Sequence, residues 1–161
     1  MSTREGSSST DTKAPGAPPL NTLYFYLTEG CNLACRHCWL APKFDPEAKR
    51  HPVLPVELFE TAIREAKPLG LSGVKLTGGE PLLHPDIVRL LEIVRREELR
   101  LTIETNGVLC TPELAAEIAK SPGAFVSVSL DGADAATHDW VRGVPGAFDR
   151  AQQGVRHLVA A

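Results

Sequence analysis

Four times along these 161 residues a short apolar run gives way to a stripe of apolar residues at helical spacing. Leu23-Tyr24-Phe25-Tyr26-Leu27 opens the series, and Gly73-Val74-Lys75-Leu76, Leu101-Thr102-Ile103 and Phe125-Val126-Ser127-Val128-Ser129-Leu130 follow. The stripes are Phe59, Ala62, Ile63 and Ala66, then Ile87, Leu90, Leu91 and Val94, then Leu114 and Ile118, and last Phe148, Ala151, Val155, Leu158 and Val159. Each suits a helix that buries one face. Pro55 and His84-Pro85-Asp86 punctuate two helix starts, and Thr111-Pro112-Glu113 reads as N-cap, first helical position and first-turn acid. The predicted order is βαβαβαβα, with strands two to four starting roughly 25–28 residues apart, close to a βαβ repeat. Such alternation predicts an α/β fold with a parallel sheet covered on its outer face. Four units make half of a (β/α)8 barrel, a partial barrel. A doubly wound open sheet satisfies the same periodicity.

Composition narrows the class. Apolar residues make up 43% of the chain and charged ones 23%, values of a globular protein. A net charge of −3 gives no broad basic field, so nucleic acid and anionic membranes are not expected partners. No apolar run approaches the ~18–20 residues that span a bilayer. Met1 to Pro19 lacks the hydrophobic segment of a secretory signal, and a cytoplasmic location is expected. Residues 1–19, rich in Ser, Thr, Gly and Pro, read as a disordered tail, with the folded domain over 20–161.

The unusual residues all fall where predicted strands end, the place where parallel α/β folds put their chemistry. Cys31-x3-Cys35-x2-Cys38 follows the first strand and Thr77-Gly78-Gly79-Glu80-Pro81 the second. Thr105-Asn106-Gly107 follows the third, and Ser129-Leu130-Asp131-Gly132 closes the fourth. Four loops distant in sequence are thereby expected to meet on one rim. Cys31, Cys35 and Cys38 offer three soft thiolates on a short loop, a set that suits an iron–sulfur cluster with one iron left open. A zinc site completed by His37 or His51 is the alternative, as is a non-catalytic metal-binding or scaffold module. Gly78 and Gly79 allow close backbone approach, and Glu80 adds an acceptor suited to a cationic ammonium.

Cys-x3-Cys-x2-Cys followed some forty residues on by Gly-Gly-Glu-Pro resembles the radical S-adenosylmethionine (SAM) superfamily. Thr105-Asn106-Gly107, Ser129-Leu130-Asp131-Gly132 and the run His138-Asp139-x-x-Arg142-Gly143 to Gly146-Ala147-Phe148-Asp149 resemble its SPASM branch of peptide and protein maturases. The resemblance covers the chain from about Leu20. It implies that Cys31, Cys35 and Cys38 bind a [4Fe–4S] cluster whose open iron takes the amino and carboxylate groups of SAM. Gly78, Gly79 and Glu80 would receive the methionine ammonium, and Ser129 and Arg142 the carboxylate and ribose side, with Thr105 and Asn106 assisting. His37 stands where the family often has Tyr or Phe against the adenine. The implied activity is that of an enzyme that cleaves SAM to a 5′-deoxyadenosyl radical. That radical takes hydrogen from a peptide or protein substrate, and a reduced flavodoxin or ferredoxin supplies the electron.

The family's members run to about twice this length or more, so the chain reads as the N-terminal portion of such a core. The stop inside the stripe Leu158-Val159-Ala160-Ala161 gives the further expectation of a chain that associates and does not turn over substrate alone. Exposed inner apolar faces along Phe125-Val126-Ser127-Val128 are expected with it. Cys110 reads as a small residue after a strand, and Trp39 and Trp140 as packing anchors. His84 reads as a helix start and His157 as unpartnered. Arg64, Arg89, Arg95, Arg96 and Arg100 read as solvated helix faces and ends.

Overall fold

The computed structural model describes residues 18–41, 43–45 and 51–161. The tail expected over residues 1–19 therefore lies outside the described residues, save Pro18 and Pro19. Four parallel strands, β1 (Thr22–Tyr26), β2 (Gly73–Thr77), β3 (Arg100–Thr105) and β4 (Phe125–Val128), pair in the order β1-β2-β3-β4. Phe25 sits beside Leu76, Leu76 beside Ile103, and Ile103 beside Val126. A doubly wound sheet reverses its strand order at a switch point. Here each strand adds to the same side of the last, which is the winding of a partial barrel.

Alternation along the strands gives the sheet two unlike faces. Phe25, Val74, Leu76, Leu101 and Ile103 are buried in one core with Phe59 and Ile63 of α1 (Val56–Ala66), Leu90, Leu91 and Val94 of α2 (Ile87–Arg96), and Ala115 and Ile118 of α3 (Pro112–Ala119). The Phe25 and Phe59 rings lie 4.4 Å apart between centroids. Phe59 is fully buried, so its truncation to Ala would cost roughly 3–5 kcal/mol. The other face is polar and aromatic. Lys75 pairs with Glu104, which accepts from Thr77 Oγ1 at 3.2 Å, and the Lys75 ammonium stands 4.9 Å from the Tyr24 ring centroid. Tyr24 and Tyr26 are exposed there. The inner apolar face expected on β4 is corrected accordingly: Val126 packs toward the helices, and Phe125 and Ser127 remain on the open side.

α3 starts as read from sequence, with Thr111 Oγ1 accepting from Leu114 N at 3.2 Å, a cap worth about 1 kcal/mol. One helix was not legible. α4 (Ala135–Arg142) lies between β4 and α5 (Ala147–Ala160), begun by Asp134 accepting from Thr137 N at 2.8 Å and ended by Gly143 at φ +70°. Its buried residues are His138 and Arg142, so no apolar stripe announced it.

Candidate functional site

The ends of the four strands surround a cavity of about 320 Å³ whose walls include Cys31, Cys35, Cys38, Gly79, Asn106 and Arg142. The cysteine loop leaves β1 through Thr28, whose Oγ1 accepts from Gly30 N at 3.0 Å. Cys31 N donates to Lys43 O at 3.1 Å, and Asp45 N donates back to Cys31 O at 2.7 Å. The far side is fastened to the end of α4. Ala34 N donates to Arg142 O at 3.0 Å, and Arg36 N to Val141 O at 2.9 Å. The Arg36 guanidinium donates to Trp140 O at 2.8 Å and stands 4.6 Å from the Trp140 ring centroid. Gly143 passes so close that a Cβ there would collide with Ala34 O. Leu33, 1% exposed, anchors the loop from beneath.

Gly78 and Gly79 run against the stem of that loop. Gly79 N donates to Thr28 O at 2.7 Å and Glu80 N to Gly30 O at 3.0 Å. A Cβ on Gly79 would collide with Gly30 O and lie 2.6 Å from Glu29 O, and Gly78 holds φ +128°. The two glycines are thus required by the meeting of two protein backbones, while also lining the cavity. Glu80 turns the other way. It is 1% exposed, and its carboxylate accepts from Leu82 N at 3.0 Å, Thr105 Oγ1 at 2.6 Å and Asn106 N at 2.8 Å. Burial pushes its pKa up against these donors. Its carboxylate ties the β2 loop to the β3 loop and does not form the cavity wall, unlike the ammonium acceptor expected from sequence.

Burial pushes the Cys31 thiol up to about 11, with the Glu80, Cys35 and Cys38 charges adding to the rise. Two buried donors face the sulfurs: Arg142 Nη1 stands 3.6 Å from Cys35 Sγ and Asn106 Nδ2 3.8 Å from Cys31 Sγ. Arg142 Nε also pairs with Asp131. Among the described residues no three His, Cys, Asp or Glu side chains converge on one ion position. Three soft thiols along one wall, one for each of three irons, fit a polynuclear cluster.

His37, Thr105 and Ser129 also line the cavity, His37 exposed and Ser129 half-buried. Every residue expected at the site except Glu80 therefore meets one space. Trp39 and Trp140 are not packing anchors: they are 79% and 62% exposed, and Trp39 lies edge-on to Tyr26 with centroids 6.0 Å apart. His84 does more than start a helix, since its buried ring spans Leu54 O at 2.9 Å and Asp86 N at 3.1 Å. His157 is partnered, by Cys110 O at 2.7 Å and Gln153 at 2.8 Å. Among the arginines, Arg95 is mostly covered and donates to Glu117 O at 3.0 Å. Sequence reasoning quoted Asp131 and His138 only within longer motifs and gave them no role. His138 Nδ1 accepts from Asp131 N at 3.2 Å and thereby fixes the loop that carries the partner of Arg142. The spacing of Asp134, Thr137 and Gly143 was the signal for the helix that positions both.

No helix among the described residues is long and apolar enough to cross a membrane. The family model of the Radical SAM superfamily matches residues 25–161. An AdoMet-dependent heme synthase of Methanosarcina barkeri is 39% identical over 132 residues, covering 82% of this chain and 37% of its own. The mycofactocin maturase MftC of Mycobacterium tuberculosis is 36% identical over 140 residues, covering 86% of this chain and 34% of its own. Among solved structures, Streptococcus suis SuiB bound to S-adenosylmethionine superposes with a TM-score of 0.71 at 30% identity, covering 87% of this chain and 31% of that one. SuiB bound to its precursor peptide SuiA gives a TM-score of 0.73 at 28% identity. The chain spans between 31% and 37% of the length of these three relatives.

Proposed function

The chain belongs to the radical SAM superfamily, and we propose that it forms the cofactor-binding core of an enzyme that cleaves SAM to start radical chemistry on a peptide or protein. The observation that carries this reading is the convergence of four strand-end loops, with three thiols and two glycines, on one cavity. Cys31, Cys35 and Cys38 would hold a [4Fe–4S] cluster. Such a cluster supplies one electron to SAM, whose cleavage gives methionine and a 5′-deoxyadenosyl radical that takes hydrogen from substrate.

The remaining steps fall to this chain's own groups. Gly78 and Gly79 present backbone atoms, bare of side chains, to the methionine ammonium. Ser129 and Arg142 take the carboxylate and ribose side, Thr105 and Asn106 assist, and the exposed His37 ring stacks on the adenine. Glu80 holds the β2 and β3 loops together so that these groups keep their spacing. A soluble reductant, flavodoxin or ferredoxin, delivers the electron in the cytoplasm.

A peptide substrate is supported by the likeness to MftC, a maturase, and to SuiB, crystallised with a precursor peptide. A second reading, a tetrapyrrole substrate, is favoured by the likeness to the heme synthase and by Tyr24, Tyr26 and Trp39, whose rings lie exposed along the open sheet face. Anaerobic reconstitution tests the core of the proposal. The chain should bind about four irons, as one cubane requires. It should lose them when Cys31, Cys35 or Cys38 becomes Ala, and keep them in Cys110→Ala. Zinc in place of iron and sulfide, or iron loss in Cys110→Ala alone, overturns the ligand assignment. Formation of 5′-deoxyadenosine with a peptide or with a porphyrin then decides between the two substrates.

A further inference from the structure

Arg142 and Asn106 stand apart from the other cavity residues because each aims a buried N–H at a cysteine sulfur. Arg142 is 8% exposed and Asn106 6%. The Asn106 amide has only one orientation that satisfies its neighbours: Oδ1 accepts from Val108 N at 3.0 Å, and Nδ2 donates to Asn32 Oδ1 at 2.7 Å and toward Cys31 Sγ. Arg142 is held by its ion pair with Asp131, which leaves Nη1 directed at Cys35 Sγ. Asp131 is itself fixed through the N–H it donates to His138.

We propose that Arg142 and Asn106 set the reduction potential of the cluster through N–H···S hydrogen bonds, with Asp131 as the opposing charge; this rests on the cluster assignment given above. Reduction adds one electron, delivered by an external reductant, to a group whose charge is shared by its thiolate sulfurs. Donors to those sulfurs and a nearby cation favour the more negative state, and more so where water is excluded. Arg142 contributes both a donor and a charge, Asn106 a donor alone. Asp131 places a negative charge on the far side of the guanidinium and offsets part of its effect. The two members of the ion pair therefore pull the potential in opposite directions.

That opposition gives the test a sign. The anaerobically reconstituted full chain, without SAM, is titrated potentiometrically while the electron paramagnetic resonance signal of the reduced cluster is followed. Iron content is measured on each sample. Arg142→Gln should move the midpoint to a lower potential and Asn106→Ala should move it the same way by less. Arg142→Lys, which keeps the charge but not the planar fork, should fall between wild type and Arg142→Gln. Asp131→Asn should move the midpoint upward. A residue that merely stiffens the loop has no reason to reverse the sign across its own ion pair. Where Arg142→Gln loses the cluster, Arg142→Lys and Asp131→Asn carry the test. Unchanged midpoints with weakened SAM binding overturn the proposal and leave Arg142 as a SAM contact only. A wild-type chain that assembles no cluster overturns the assignment beneath it as well, and iron content tells the two failures apart.

Discussion

The loops after β1, β2 and β3 and the flank formed by β4 and α5 are built from the same repeating unit, yet they differ in how completely they are filled. Where the β1 and β2 loops meet, two backbones cross with no room for a methyl group, as at Gly79 against Gly30. The buried carboxylate of Glu80 there accepts three hydrogen bonds. On the flank, Phe125 is 64% exposed and Val159 83%. An apolar groove of about 500 Å³ opens between α3, β4 and α5, and positions 123 and 146 have nothing within 4 Å of an added Cβ. The difference teaches that the flank is tight where it meets the rim, as at Gly154 against Gly107 O, and open on the side away from it.

The contrast is broken most sharply at Gly79. Gly79→Val forces the β2 loop off the stem of the cysteine loop and should cost about 3 kcal/mol, the upper end for overpacking. Chemical denaturation measures the loss, and SAM affinity should fall with it. A fully stable Gly79→Val protein would show that the rim is looser than its geometry. Next in size is Glu80→Gln, which turns an amide donor toward Asn106 N–H and should cost roughly 2 kcal/mol at neutral pH.

The pH dependence of that variant sharpens the comparison. Glu80 has its folded pKa raised above 4.5 by burial. The folded state therefore holds this proton more tightly than the unfolded chain does. The linked stability is fully present below the unfolded pKa and is lost as pH rises through the folded one. The advantage of wild type over Glu80→Gln should accordingly shrink as pH climbs above 4.5, a trend read from urea midpoints across pH. An advantage that grows with pH would mean the three donors outweigh burial.

The smallest effect belongs to the flank. Phe125→Ser removes an exposed ring and should change stability by less than about 0.5 kcal/mol, the scale of surface substitutions. It should reduce self-association in sedimentation, because it removes an exposed apolar ring on β4, an edge strand of the sheet among the described residues. A loss as large as that of Gly79→Val would erase the distinction between the two regions.

What the sequence made legible follows the same divide. Strands and helices with apolar stripes, such as β2 and α2, were readable because burial imposes a period on them. The gathering of Cys31, Gly79, Asn106 and Ser129 was readable because parallel strands put their loops at one end. α4 was not, since the residues it buries are His138 and Arg142, and a buried polar residue leaves no hydrophobic period. Nor was the direction of Glu80, because sequence records that a carboxylate follows two glycines but not which side of the loop it takes. The partners of His84 and His157 are backbone carbonyls 30 and 47 residues away, invisible to any local pattern.

The fastening of the cysteine loop to the end of α4 has a consequence for the order of events during synthesis. Cys35 and Arg142 are separated by 107 residues, and the backbone bonds from Ala34 and Arg36 reach equally far along the chain. Contacts of such long sequence separation form late, after the loop-closure entropy has been met. A chain still emerging from the ribosome has all three thiols outside well before Val141, Arg142 and Gly143 arrive to close the loop. During that interval the thiols are free to meet oxidants, stray metal ions or one another. The cysteine loop thus takes its final shape only on the arrival of a helix that carries no thiol of its own.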